Sequence, residues 1–467
     1  MVSSKLIQKC KTIDFIGNQK RLFKKEFDLK INTDSRSFKS GETFIALVGE
    51  SFDGFSYLEQ VLDKEASVVV FNSSLEREGL VNALEVFYPN TVFIGVRDTL
   101  LFIQELARLH IQAWKKMGLN KKVIGVTGSN GKTTHKEMIF YLLNSIMPNK
   151  VLATIGNLNN HIGVPLTIFR LTKKEDIAII EMGMNHAGEI KSLCDIAFPE
   201  HGMITNIGAA HIEFLKSMEN IFNEKASLYR SVVKNKKGQG TFVVNYDDSY
   251  LAKLKKSKGL VTYGENGGDV KVTIKNQEIT FTHQKTSHII SNKNIQEHHN
   301  LKNLVGTVIF CMNMFPKKVK QIVQAASNYE QPSMNRSQWV ENIFLDAYNA
   351  NPSSMKVSID SFVEIMQSKK VNLSECYFVL GDMNELGDFS REMHFQIASH
   401  AKTIGIKNIT FIGRFKEYYL EGFSNPTSSY LTKNEFLDEW KEARKKYKYI
   451  FIKASRSLQL ETLMTIL

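Results

Sequence analysis

Cysteine is scarce in this sequence, and none of it is spaced for pairing. Cys10, Cys194, Cys311 and Cys376 are the four present. They lie too far apart to suggest a zinc cluster or a disulfide framework, so buried thiols are expected. A long apolar run is also missing. The longest weakly polar stretch, LVGTVIFCMNMF from Leu304 to Phe315, is well short of the ~18 residues needed to span a bilayer. The opening MVSSKLIQKCKTIDFIGNQKR has no sustained apolar core of the kind a signal peptide carries. A cytoplasmic protein with no membrane partner is the expectation. Internal repeats and low-complexity segments are absent as well.

What remains is an ordinary globular composition, 43% hydrophobic and 23% charged. A chain of 467 residues is about three times the ~150 residues of a typical domain, so two or three cores are expected. The net charge of +12 raises the question of nucleic acid, which binds clustered lysines through counterion release. Here the basic residues fall in small groups such as KNKKG, KLKKSKG and KEARKKYK. These read as solvated helix faces or turns, and no nucleic-acid partner is expected. A basic surface also suits a small, highly anionic substrate.

Hydrophobic periodicity divides the chain into three α/β units, expected at residues 1–118, 119–330 and 331–467. The first alternates short strands (TFIALVG, ASVVVFN, TVFIGV) with helices. LFIQELARLHIQAWKKMG then places Phe102, Leu106, Leu109, Ala113 and Met117 at helical spacing, a helix leading into a linker. In the second unit the buried strands KKVIGV, DIAIIEMG, HGMITNIG, TFVVN and LVTYG predict a mainly parallel sheet, followed by the half-exposed hairpin DVKVTIKNQEITFTH and a helix near HHNLKNL. IFLDAY, CYFVLGDM, NITFIG and YIFIKAS alternate with helical stretches in the third, the rhythm of a doubly wound, Rossmann-like sheet.

One loop carries chemistry on its own terms. VIGVTGSNGKTT runs from a buried strand through Gly128, Ser129, Asn130 and Gly131 to Lys132, Thr133 and Thr134, where a helix begins. Glycines there let successive N–H groups converge on phosphate oxygens at a helix N-terminus, Lys132 reaches the terminal phosphates, and Thr133 offers its hydroxyl to Mg²⁺. The common pattern has glycine five residues before Gly131, where this chain has Val126; glycine falls instead at 125 and 128. ATP binding is the expectation. Glu181 at the end of IAIIE and His211 after MITNIGAAH stand where α/β sheets gather ligands. Each alone reads as readily as a structural side chain; with Thr133 they form a candidate magnesium set.

Beyond the loop, ATIGNLNNHIGVPLTIFRL, IIEMGMNHAGEI, ITNIGAAHIEF, HHNLKNL, FLDAYNANPSS, VLGDMNELGDFS and IKASRS follow in order, with TDSRSFKSGETFIALVGESFDGFSYL near the start. In these blocks the chain resembles the Mur ligases of peptidoglycan synthesis over nearly its whole length. GNLNNHIGVP, AYNANPSS and GDMNELG separate one branch from its siblings and from folylpolyglutamate synthases, and the Asp-Asn-Pro-Arg block of the diaminopimelate-adding branch is absent.

The resemblance implies an ATP-dependent amide ligase that passes through an acyl phosphate. Its expected small-molecule substrates are a UDP-N-acetylmuramoyl tripeptide and D-alanyl-D-alanine, and a monomer is expected. It implies that Lys132 and the loop amides hold phosphates and that Thr133, Glu181, His211 and Lys225 serve magnesium, Lys225 as a carbamate. By the same resemblance Asn300 and Asn303 contact adenine, and Arg336 and Asp346 reach phosphate and ribose. Ser35 and Arg36 receive the uridine nucleotide, Asn157, Asn159, Asn160 and His161 face the muramoyl peptide, and Tyr348, Asn349 and Asn351 lie near the dipeptide and nucleotide. Two positions depart from the family pattern: Ala454 replaces a usual glycine and His298 a common arginine.

Overall fold

The computed structural model describes residues 2–17, 26–330, 332 and 337–466. Three α/β units follow one another, each built on its own sheet. In the first, strands Ile31–Asn32, Thr43–Ile45, Val68–Asn72 and Val92–Val96 run parallel, and Ile13–Ile16 closes the edge antiparallel.

The helix Thr99–Lys116 differs from its expected role. It buries Phe102, Ile103, Leu106, Ala107, His110, Ile111 and Trp114, while Leu109 is half-buried and Met117 exposed. The stripe is rotated because the helix is packed by its neighbours on both sides. Trp114 Nε1 donates to the carbonyl of Thr172 at 2.9 Å, and His110 Nε2 lies 3.0 Å from that of Leu171. This helix is a strut wedged against the central unit.

The central sheet sets the geometry of everything that follows. Its strands Val151–Ala153, Ile177–Glu181, Lys122–Thr127, His201–Ile204, Phe242–Asn245, Leu260–Gly264 and Val270–Lys275 lie side by side and parallel. The expected hairpin then pairs Val270–Lys275 antiparallel with Glu278–His283, and Thr286–Ser291 adds one more strand. Parallel strands buried on both faces need apolar residues throughout, and IAIIE is buried at every position. All C-terminal strand ends share one pole.

The third unit has parallel strands in the order Ile343–Asp346, Tyr449–Lys453, Cys376–Gly381, Ile409–Ile412 and Ser428–Tyr430, with Gln338–Val340 antiparallel at one edge. All four cysteines are free and buried. Among the described residues no helix is long and apolar enough to cross a membrane.

Candidate active site

The strand Lys122–Thr127 ends in a turn that only glycine can make. At Gly128, φ is +152° and a Cβ would lie 1.8 Å from Thr205 Oγ1; Gly131, at φ +73°, caps the helix Lys132–Ile146. Val126 belongs to the strand itself, paired with Glu181 on one side and Met203 on the other, which is why the glycines flank it. Asn206 shapes the loop, taking the Ser129 N–H on its carbonyl at 3.0 Å and the Asn130 N–H on its side chain at 2.9 Å. Lys132 Nζ donates to the carbonyls of Gly128 and Ser129, at 2.8 and 3.2 Å.

The four expected metal-site side chains, Thr133, Glu181, His211 and Lys225, lie around this loop. Glu181, 1% exposed, accepts from Thr133 Oγ1 at 3.2 Å and from Asn159 Nδ2 at 2.8 Å, both on Oε1. Its Oε2 is buried without a partner. His211, in the left-handed region at φ 59°, leads the turn Ile212–Leu215, and its Nδ1 lies 2.6 Å from Glu385 Oε2 of the third unit. Lys225, on the helix Met218–Asn235, is buried with Nζ 3.0 Å from the Gly128 carbonyl. Burial first, and then the nearby Lys132 charge, pull its ammonium well below the usual lysine range, opposed by Glu224.

Lys132, Thr133, Glu181 and His211 line a cleft of about 600 Å³, with Lys225 outside that lining, at the C-terminal ends of the parallel strands, where open α/β sheets bind ligands. Thr134, Asn157, Asn300, Asn303, Asp346, Tyr348 and Asn349 also line it. Asn303 Nδ2 lies 3.3 Å from the Asn300 side-chain oxygen, and Asn300 Nδ2 is 3.4 Å from Glu297. His298, in place of arginine, lies 2.9 Å from Glu265.

The third unit closes over the loop. Asn351 caps the helix Pro352–Ser368 and donates through Nδ2 to Asn130 Oδ1 at 2.6 Å; Asn130 Nδ2 donates to Ser353 Oγ at 2.8 Å. His299 Nδ1 lies 2.9 Å from Ser361 Oγ across the same boundary.

Other expected residues stand apart. Ser35 is buried with its carbonyl accepting from Lys64, and Arg36 is exposed, clasping Asp34 at 2.9 and 2.7 Å; both lie outside the cleft. Asn160 accepts the N–H groups of Ile162 and Gly163, a turn role, and it and His161 are exposed outside the cleft. Arg336 lies outside the described residues.

Two residues escaped the sequence reading although their blocks did not. Lys453, 1% exposed, reaches Asp346 Oδ2 at 2.5 Å and the Asn349 carbonyl at 3.1 Å. Glu385 in GDMNELG meets His211, whereas Asp382 in the same block accepts the N–H groups of Arg414 and Phe415 and is structural. No spacing rule pairs residues so distant in the chain.

Comparison with known proteins bears on the family and the fold. Residues 126–311 match the Mur ligase middle domain. The chain is 32% identical over 449 residues to the UDP-N-acetylmuramoyl-tripeptide--D-alanyl-D-alanine ligase of Bacillus subtilis, covering 93% of this chain and 92% of that one. It is similar to a crystal structure of MurF from Acinetobacter baumannii, with TM-score 0.83, 26% identity and coverage of 99% and 97%. The MurF ligase of Thermotoga maritima in complex with ADP shares the fold, with TM-score 0.77, 22% identity and coverage of 94% and 96%.

Proposed function

This chain belongs to the UDP-N-acetylmuramoyl-tripeptide--D-alanyl-D-alanine ligases of the Mur family, and we propose that it forms its amide bond through an acyl phosphate made with the γ-phosphate of ATP. A carboxylate is a poor electrophile at neutral pH. Phosphorylating the tripeptide's terminal carboxylate supplies a leaving group, and the amine of D-alanyl-D-alanine then attacks the carbonyl carbon. The C–O bond to phosphate breaks, and ADP and phosphate leave.

The observation that carries this reading is the pairing of Lys132 in its glycine turn with the buried, half-satisfied carboxylate of Glu181 in one cleft. An ionised carboxylate oxygen buried without a partner is costly. Beside the Thr133 hydroxyl it fits a divalent cation. Mg²⁺ is usually held by one or two carboxylates together with substrate phosphates, and Glu181 supplies one carboxylate here. Glu181, Thr133 and His211 would hold the ion, and when bound it would offset the phosphate charge. The ADP complex of the Thermotoga relative supports a nucleotide here.

This chain's own residues supply positioning, the main source of rate in phosphoryl transfer. Lys132 needs only a side-chain rotation to leave its own carbonyls for a phosphate. Asn300 and Asn303, which also line the cleft, would meet the base, and Asp346, held by Lys453, the ribose. A monomer is proposed as the working unit.

Isotope transfer tests the route. With ¹⁸O in the tripeptide's terminal carboxylate, released phosphate is expected to carry one labelled oxygen, and release is expected to need both peptides. Unlabelled phosphate, or release indifferent to the peptides, would overturn the acyl phosphate. Lys132→Ala is expected to abolish turnover in a folded protein.

A further inference from the structure

The pole of the central sheet opposite the cleft gathers lysines that the sequence scatters. All the parallel strands start there, so the loops leading into them are neighbours. The two lysine-rich stretches 234–237 and 253–258 meet, with the Gly259 N–H donating to the Gly238 carbonyl at 2.8 Å. Lys115 ties the end of the Thr99–Lys116 helix to the same place, donating to the Phe198 carbonyl at 2.7 Å and lying 3.3 Å from Glu200, which also faces Lys236 at 3.6 Å.

The carboxylates on these loops are already engaged. Glu200 sits between Lys115 and Lys236, Asp176 faces Lys121 at 3.0 Å, and Glu175 accepts from Thr172 at 2.7 Å. Lys116, Lys234, Lys237, Lys255 and Lys258 are exposed and have no ion partner among the described residues. Beside Lys116, the chain turns outward through Met117, 58% exposed, and Leu119, fully exposed. Two large aliphatic side chains thus project from a surface whose unmatched charge is positive.

We propose that this pole is a docking surface for an anionic phospholipid bilayer. Lysines near such a surface each contribute about 1 kcal/mol, screened within a Debye length. An aliphatic tip among them gains by entering the headgroup layer. Duplex nucleic acid would use the lysines and leave Leu119 and Met117 in water, so the lipid surface is the occupant that accounts for both features. Association is peripheral, and the cleft faces away from the bilayer, open to soluble substrates.

Vesicle sedimentation of the full chain tests this, with phosphatidylcholine alone and with phosphatidylcholine containing phosphatidylglycerol. Binding is expected only with the anionic lipid and is expected to be lost at about 0.5 M salt. Lys237→Glu with Lys258→Glu is expected to weaken it about twentyfold or more, and Leu119→Ser by about tenfold, with ligase turnover on soluble substrates unchanged in both. Absence of binding to anionic vesicles at low salt, equal binding to neutral ones, or undiminished binding by the charge-reversed protein would overturn the proposal. Preference for a duplex oligonucleotide over the vesicles would assign the pole to nucleic acid instead.

Discussion

Glu385 of the third unit stands 2.6 Å from Nδ1 of His211 in the central unit, and the N–H of Glu213 adds a backbone bond to the Glu385 carbonyl at 3.3 Å. The contact, reinforced by the Lys132 charge, holds the Glu385 carboxyl below its ordinary range. An imidazole expected at a metal is thus oriented by a carboxylate from another unit. Such partners typically contribute 10–100-fold to metal affinity or activity. Glu385→Ala is expected to lower kcat/KM by about that factor and to weaken Mn²⁺ binding in the presence of ATP, measured by electron spin resonance. Unaltered Mn²⁺ affinity would reduce the contact to a surface ion pair.

Lys225 is buried, burial and the Lys132 charge pull its ammonium well below the usual lysine range, and among the described residues its hydrogen-bond partner is the Gly128 carbonyl. An uncharged amine is the form that adds CO₂, and a carbamate there would turn a cation into an anion next to the phosphate loop. Lys225→Ala is expected to lose most activity, with partial recovery on adding short carboxylic acids. Near-normal turnover without them would leave the lysine as scaffold.

The amide clasp between Asn130 and Asn351 joins the phosphate loop to the third unit. Closures of this kind gate assembly of a site. Small-angle scattering is expected to show compaction of the parent on adding an ATP analogue with the UDP-tripeptide, and less compaction in Asn130→Ala. Unchanged dimensions in the parent would mean that the units work as one rigid body.

His299 reports the same boundary by titration. Burial, opposed by Asp346 and reinforced by Lys453 and His298, draws its imidazole down to about 4. The fold keeps it neutral, whereas the unfolded chain takes a proton below ~6.5. Its stabilising share is therefore complete above ~6.5 and is lost as pH falls from there through about 4, about 3 kcal/mol in all. In urea titrations at pH 7 and 4.5, His299→Gln is expected to lose less stability than the parent. Parallel losses would refute the assignment.

Lys453 fixes both Asp346 and the carbonyl of Asn349. Lys453→Met removes the charged partner of Asp346, leaving its Oδ2 only the Ser358 hydroxyl at 2.9 Å, and frees the Asn349 carbonyl. KM for ATP is expected to rise about tenfold or more, with a smaller change in KM for D-alanyl-D-alanine and partial rescue by arginine. An equal rise for both substrates would indicate general damage to the unit.

Strands such as IAIIE and YIFIKAS, and the glycine turn before Lys132, were legible in the sequence because each is a local pattern: apolar continuity, or a backbone only glycine tolerates. The roles of Lys132, Thr133 and Glu181 as neighbours followed from the rule that ligands gather at strand ends. The tertiary structure alone decided that Glu385 meets His211, that Lys453 holds Asp346, and that the KNKKG and KLKKSKG groups adjoin. It also turned the helix Thr99–Lys116 into a strut, because the side chains it buries are selected by two units at once. Pairings between residues far apart in the chain depend on how separately folded sheets dock, and docking is set by whole surfaces that no short window of residues contains.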